Sequence, residues 1–212
     1  MNRNIAFLMT LLVIGFIVSC KTEKKEETDN KYSRYDIETG VIFMRSENSG
    51  IASKTTMEIT FTNFGEKELT KINNTIVGST MQSTLIKTDS LQYFLMDGQY
   101  IKSKRKYEFS LENFDLKRLD EKKVKEYTIK KIGEEEFLEK NCTLYSFENK
   151  AMALKGEFYE WRNIPLKIKV ERAGMSELME AYEIVTDTVL AKETFTIPAN
   201  AKVMDATAIP NN

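Results

Sequence analysis

The sequence predicts a mainly β (α+β) fold in which a curved antiparallel sheet closes around one helical segment. Three observations support this prediction. Several segments after residue 55 alternate apolar and polar side chains with the period of two that is typical of half-buried strands. Asp97-Gly98, a dipeptide favoured in two-residue hairpins, separates two apolar segments. Residues 113–126 instead carry apolar side chains among charges, with no Gly or Pro, as in a helix.

An apolar segment comes first in the chain. Residues 5–18 follow Arg3 and contain one polar side chain, Thr10. A membrane-spanning helix needs about 20 apolar residues, whereas the core of a secretory signal needs about 7 to 15. The segment therefore predicts a signal peptide over residues 1–19.

Ile17, Val18, Ser19 and Cys20 end this segment and resemble the lipobox of bacterial lipoproteins. The resemblance implies cleavage between Ser19 and Cys20, a diacylglyceryl group on the Cys20 thiol and acylation of the new amino terminus. Two or more acyl chains anchor a protein stably, because each buried CH2 contributes about 0.8 kcal/mol. The alternative is an ordinary cleaved signal followed by an incidental cysteine.

Residues 20–31 are predicted to be the lipidated cysteine and a charged tether. Residues 21–31 carry eight charges and no apolar side chain, so they cannot bury in a core. Lys21 directly after the cysteine resembles lipoproteins that are released to the outer membrane, and Lys25-Glu26-Glu27 resembles the signals of surface lipoproteins. We therefore expect an outer-membrane protein, on either the periplasmic face or the cell surface.

Composition limits the function further. Residues 32–205 have the length of a single domain, followed by a C-terminal tail at 206–212. The net charge of the whole chain is -1. Loss of Arg3 with the signal would make it -2, whereas proteins that bind nucleic acid normally carry a basic excess. We expect no nucleic-acid partner and no cofactor.

Histidine is absent from the chain, which excludes Ser-His-Asp and Cys-His catalysis. Glu157 and Glu160 are three positions apart in a predicted strand, and side chains at an odd spacing point to opposite faces, so their carboxylates cannot converge. Cys142 is the chain's other cysteine besides Cys20, and we interpret it as a small buried residue rather than a reactive thiol. The chain is predicted to be a non-enzyme.

Strands are predicted in succession through most of the domain. Leu166, Ile168 and Val170 alternate with Lys167 and Lys169, so one face of that strand should be buried. Pro165 can begin this strand, because a missing N–H does least harm at the first position. The predicted strands are 56–62, 66–77, 80–88, 91–96, 128–132, 141–148, 154–161, 165–171, 179–187 and 194–197.

Three pairs of segments together resemble the lipoprotein-carrier (LolA/LolB-like) superfamily of bacterial envelopes and its small relatives. They are YDIETGVI (35–42) with TFTNFGEKE (60–68), IGEE (132–135) with KNCTLY (140–145), and FYEWRNIPLKI (158–168) with FTIP (195–198). The resemblance covers residues 32–204. It implies a half-open antiparallel barrel with one or more helices packed against its concave side and an interior that holds acyl chains. The carriers have more helix over the barrel mouth than this sequence indicates.

Five aromatic residues could line an apolar cavity between sheet and helix, or could simply fill the core. Lys102, Lys104, Arg105 and Lys106 form a basic segment that would contact anionic lipid headgroups or protect a sheet edge. We therefore predict a membrane-anchored protein that binds a lipid or other apolar ligand. The alternative is a module with a filled core that binds another envelope protein. The five candidate lining residues are Phe94, Tyr100, Phe114, Phe158 and Trp161.

Overall fold

The computed structural model describes residues 33–49, 53–105, 109 and 114–208. Residues 31–212 form one compact unit. The predicted signal peptide, the cleavage site between Ser19 and Cys20 and the whole predicted tether lie outside the described residues. The same holds for the last four residues of the tail.

Twelve strands form one sheet in the order β12-β6-β5-β4-β3-β2-β1-β11-β10-β9-β8-β7. Neighbouring strands are antiparallel, except that β12 runs parallel to β6. The strands are β1 (Gly40–Asn48), β2 (Ser53–Thr62), β3 (Lys67–Ile76), β4 (Ser79–Lys87), β5 (Leu91–Met96), β6 (Gln99–Lys104), β7 (Lys130–Phe137), β8 (Lys140–Asn149), β9 (Leu154–Trp161), β10 (Ile164–Arg172), β11 (Met175–Thr186) and β12 (Lys202–Asp205).

This architecture confirms the predicted mainly β fold with a curved, half-open sheet. The two edge strands, β12 and β7, do not pair with each other, so the sheet stays open. The parallel β12–β6 pair makes it mixed rather than purely antiparallel. A chain that returns along the outside of an existing edge can add a strand in either direction, and periodicity does not encode which.

Alternation explains why β10 forms where it does. Ile164, Leu166 and Ile168 are each 2% exposed or less, while Lys167 and Lys169 face away from them. The strand starts one residue before Pro165, and the register with β9 shifts between Pro165 and Lys167. The irregularity accommodates the missing proline N–H.

Two-residue turns join most of the hairpins. Asp97 and Gly98 both have positive φ, 51° and 75°, and connect Met96 to its partner Gln99. This is the geometry that matches the twist of the flanking strands, so the hairpin predicted from the dipeptide is confirmed. Val77 and Gly78 make the corresponding turn between β3 and β4.

The predicted helix over 113–126 is wrong in length. The described part of this segment contains a 3-10 turn at Leu116–Arg118 and a six-residue helix, α1 (Glu121–Glu126). Phe114 has φ 45°, which no right-handed helix allows. The helix begins only after Asp120, whose carboxylate accepts a hydrogen bond from the Lys123 N–H at 2.7 Å. Asp115, which precedes the 3-10 turn, is buried.

The C-terminal part also differs from the prediction. Residues 194–197 do not form a strand; a 3-10 turn spans Lys192–Phe195, and the last strand is β12. β12 pairs with residues 99–102 of β6, so Lys102 does not lie on a free sheet edge. Lys102 pairs with Asp205 of β12 at 2.9 Å, and Arg105 is buried. Lys102 and Arg105 therefore have structural roles, and contact of this segment with lipid headgroups stays a prediction.

Two apolar clusters fill the core. The first cluster lies beneath the segment before β1, with Tyr35, Ile42, Phe61 and Leu166 as central members. The second cluster lies beneath the segment between β6 and β7, which covers β8, β9 and β10. Met179 packs against both clusters. The second cluster consists of Phe109, Phe114, Tyr127, Ile129, Phe147, Leu154, Phe158 and Ile168.

Gly156 marks a close approach inside the second cluster. A Cβ at this position would lie 2.1 Å from the Lys169 carbonyl oxygen and 2.6 Å from the Phe147 ring. The absence of a side chain therefore lets the Phe147 ring lie flat against β9.

Candidate apolar binding site

The sheet face that carries the two clusters, here named the core face, continues beyond them toward the end of β10. Pairing places Met179 of β11 opposite Ile168, and Phe158 of β9 lies opposite Ile168 on its other side. Val170 and then Arg172 follow Ile168 on the same face. The apolar row of β10 therefore emerges from the packed core before it reaches its charged end.

A groove of about 560 Å³ lies over this emerging row. Its floor includes Ile168 and Leu154, which are 2% and 4% exposed. Met152 and Met175 stand at its opening, with 39% and 47% of their surfaces exposed. The volume falls within the range of about 300 to 1,000 Å³ that is typical of small-molecule sites. The lining residues are Asn48, Tyr127, Met152, Leu154, Ile168, Val170, Arg172, Met175, Ser176, Glu177 and Met179.

Methionine gives the groove an adaptable wall. Met152, Met175 and Met179 come from the 3-10 turn before β9 and from β11, so they surround the opening and the floor. A methionine side chain is unbranched and polarizable and packs against ligands of irregular shape. The arrangement suits a flexible apolar ligand better than one rigid shape.

A second, more polar hollow of about 540 Å³ adjoins the groove. Both linings include Leu154, Arg172, Met175 and Ser176, so the two spaces meet at these residues. The further residues of the hollow are mostly charged or small: Glu148, Lys150, Ala153, Lys155, Glu171, Ala173 and Gly174.

The other half of the core face has no cover among the described residues. The register places Leu85, Phe94 and Ile101 side by side on β4, β5 and β6. All three are half-buried, and they belong to neither cluster. Met81 and Met96, near the ends of the same strands, are 67% and 48% exposed. We name these five residues the uncovered strip.

The structure separates the five aromatic residues predicted to line a cavity. Phe114 and Phe158 do meet, with ring centroids 5.0 Å apart, but they fill the second cluster. Phe94 lies in the uncovered strip, and Tyr100, next to it on β6, points to the opposite face. Trp161 packs at the border of the first cluster, beside Lys140 and Arg162. None of the five lines the groove, whose aromatic residue is Tyr127.

Sequence reasoning also missed a buried charge cluster at the opposite end of the strands. Glu68 is 2% exposed and accepts hydrogen bonds from Arg34 at 2.6 Å, Lys87 at 2.7 Å and the Tyr35 hydroxyl at 3.0 Å. Burial alone would raise the pKa of Glu68, but Arg34 and Lys87 together hold it well below its usual range. The second buried carboxylate, Asp115, lies 3.8 Å from Arg34.

These contacts join the segment before β1 to β3 and β4, so the charge cluster closes one end of the sheet. Arg105 adds hydrogen bonds to the carbonyl oxygens of Glu66 and Gly65, at 2.6 and 3.1 Å. The cluster is structural, because the short pairs occupy the Glu68 carboxylate. The sequence signal for it was weak: Glu68 occupies a core-face position in an otherwise ordinary strand.

Cys142 lies in the first cluster and is 1% exposed, so the described structure places it as predicted. Burial raises the pKa of its thiol. Within the described ranges, His, Cys, Asp and Glu side chains do not gather into a group that could hold a metal ion. No described helix is long and apolar enough to cross a membrane.

Comparison with known proteins identifies a fold and no family. Neither a protein-family model nor a curated protein matches the chain. An uncharacterized conserved protein from Thermus thermophilus matches with a TM-score of 0.53 at 11% identity, over 79% of this chain and 90% of that one. MucB, a Pseudomonas aeruginosa protein, matches with a TM-score of 0.51 at 11% identity, over 82% of this chain. The chain shares the fold of both.

This chain spans 62% of MucB, less than two thirds of its length. A LolA superfamily protein from Nitrosomonas europaea also matches, at 12% identity over 79% of this chain and 94% of that one, with a TM-score of 0.43. The fold is established by the first two matches, and a shared fold by itself assigns no ligand.

Proposed function

We propose that this chain is a lipid-anchored, non-catalytic envelope protein that binds an acyl chain or another apolar ligand in the groove over β10 and β11. The observation that carries the proposal is the groove itself, with an apolar floor at Leu154 and Ile168 and methionines at its opening. An apolar ligand needs few polar contacts, because its transfer from water is favourable by about 0.8 kcal/mol for each buried CH2.

Native mass spectrometry tests ligand binding most directly. The domain from residue 31 onward contains both clusters and lacks the predicted signal and lipid anchor, so it can be produced and purified without detergent. A mass excess that disappears on denaturation, with a lipid recovered by extraction, supports the proposal. A bare polypeptide mass, repeated after incubation with envelope lipids, contradicts it.

A groove-filling variant links the bound mass to this site. Val170→Trp places an indole over the groove floor and should abolish ligand retention while leaving the unfolding midpoint within a few degrees. Val189→Trp is the matched control, because Val189 is 98% exposed and outside the groove. Equal retention by the two variants would place the ligand elsewhere.

The anchor at Cys20 is a separate part of the proposal and rests on the lipobox residues. A Cys20→Ser protein should fail to incorporate labelled palmitate and should leave the membrane fraction. Cys142→Ser should keep the label, because the Cys142 thiol is buried. Labelled Cys20→Ser protein in the membrane would refute the lipobox interpretation.

The uncovered strip favours a second function, the binding of an envelope protein partner. Phe94, Leu85 and Ile101 present an apolar surface on the sheet without a described segment over it. Exposed apolar patches of several hundred Å² mark interaction sites. This alternative predicts that Phe94→Lys abolishes partner binding without changing lipid retention, whereas Val170→Trp has the opposite effects.

A further inference from the structure

Resting on the proposed apolar site, we propose that its ligand is an anionic amphiphile whose acyl chain lies in the groove and whose acidic head contacts Arg172. The class includes fatty acids and acidic phospholipids, which share negatively charged oxygens next to acyl chains. The placement of Arg172 at the end of the apolar row carries this inference.

Arg172 continues the core-face row of β10 after Ile164, Leu166, Ile168 and Val170. Its neighbours across the strand pairs are Leu154 on β9 and Met175 on β11. A guanidinium therefore stands between two apolar side chains at the end of the groove. About 13 Å separates the Cα positions of Ile168 and Arg172 along an extended strand, enough for much of an acyl chain to lie along the row.

The Arg172 guanidinium makes no ion pair or hydrogen bond with any described residue. Lys150, which lines the adjoining hollow, likewise has no such partner in the described ranges. Arg172 borders the space where the groove and the polar hollow meet, and Lys150 lines the hollow. Arginine is well suited to this role, since its planar donors bind carboxylate and phosphate oxygens in pairs.

Two of the three carboxylates that line these spaces have described side-chain contacts. Glu171 pairs with Lys155 at 2.8 Å, and Glu177 accepts a hydrogen bond from the Ser46 hydroxyl at 2.9 Å. Glu148 lies directly across the β8–β9 pair from Lys155. Among the cations that line the two spaces, Arg172 and Lys150 make no described ion pair, whereas Lys155 pairs with Glu171.

The preference for anionic over neutral amphiphiles is measured by displacement of the neutral dye N-phenyl-1-naphthylamine from the domain starting at residue 31. Two competitor pairs are used below their micelle concentrations: hexadecanoate with hexadecanol, and palmitoyl lysophosphatidylglycerol with palmitoyl lysophosphatidylcholine. In the native sequence the anionic member of at least one pair should bind roughly fivefold more tightly, the upper end for a solvent-exposed ion pair. The pair that shows the preference identifies carboxylate or phosphate as the head.

Arg172→Gln should bring this preference close to one, Lys150→Gln should reduce it less, and Arg172→Lys should retain most of it. Lys54→Gln is the matched control, since it removes one positive charge from an exposed position on β2. Raising the salt concentration should weaken the preference in the native sequence and leave Arg172→Gln unchanged.

Equal affinity for charged and neutral competitors, or a preference that survives Arg172→Gln, would overturn the inference while the apolar site stands. Absence of any displacement, together with a bare mass in the native spectrum, would overturn the proposed function and this inference with it.

Discussion

Replacement of Glu68 by glutamine is expected to be one of the most damaging conservative changes in this protein. The carboxylate bonds to two cations, and the side chains of Arg34 and Lys87 are only 8% and 13% exposed. Glu68→Gln keeps the volume but removes the counter-ion of buried Lys87 and leaves Arg34 with Asp115, at 3.8 Å. Loss of one partner of a buried pair typically destabilises a protein by about 3 to 5 kcal/mol.

The pH dependence follows from the direction of the pKa shift. Since the pKa of Glu68 is lower in the folded protein than its ordinary value of 4.5, the unfolded chain takes up a proton first as the pH falls. The stability contributed by ionised Glu68 is therefore complete above about pH 5 and is lost as the pH falls through 4.5 toward the folded-state value. Glu68→Gln should remove this loss of stability in acid.

Asp115 provides a matched control on the same arginine. Burial raises the pKa of Asp115, and the charge of Arg34 offsets only part of that effect. Its ionisation thus works against folding, so Asp115→Asn should destabilise the domain much less than Glu68→Gln does at pH 7. It should also leave the acid-induced decline of the native sequence in place.

The measurement is the free energy of unfolding of the native sequence, Glu68→Gln and Asp115→Asn. It is obtained by urea denaturation from pH 3 to 8, followed through the fluorescence of Trp161, the single tryptophan. Equal slopes against urea would show that the comparison concerns stability alone. Equal losses for the two variants at pH 7, or an unchanged decline in acid for Glu68→Gln, would refute the assignment of the short pairs as stabilising.

Three further predictions concern the core. Phe158→Ala should destabilise the domain by about 3 to 5 kcal/mol in urea denaturation, because Phe158 is 1% exposed; an effect below about 1 kcal/mol would contradict its central place in the second cluster. Gly156→Ala should cost more than about 1 kcal/mol, while Gly133→Ala, with open space around its Cα, should be nearly neutral; similar midpoints would contradict the close approach. Cys142 should react with iodoacetamide only in urea, and rapid labelling of the native domain, followed by mass spectrometry, would show that the thiol is accessible.

Much of the fold follows from local pattern. The alternation of Leu166 and Ile168 with charged residues located β10 to within a residue, and Asp97-Gly98 located its hairpin, because strand pleat and turn conformation depend on adjacent residues. The helix prediction over 113–126 failed for a tertiary reason. Phe114 enters the second cluster with a backbone conformation that ends any helix, and that packing outweighs local helix propensity.

The candidate site was largely beyond reach of the sequence. The aromatic residues chosen as cavity lining were selected by size, but strand pairing sends Phe94 and Tyr100 to opposite faces and places Phe158 inside the packed core. The methionines at the groove opening could have been noticed in the sequence. Met152 and Met175 lie at turns, where an apolar side chain has little core to enter. Their meeting depends on β9, β10 and β11 lying side by side.

The sequence by itself determined the strand-rich class, most hairpins and the absence of histidine chemistry, because each depends on composition or on residues close together in the chain. The tertiary structure alone decided that β12 joins the sheet parallel to β6, that Glu68 holds two buried cations, and that Arg172 ends an apolar groove. Each of these features joins residues far apart in the sequence, and contacts of that kind are set by strand order and register, which local periodicity does not encode.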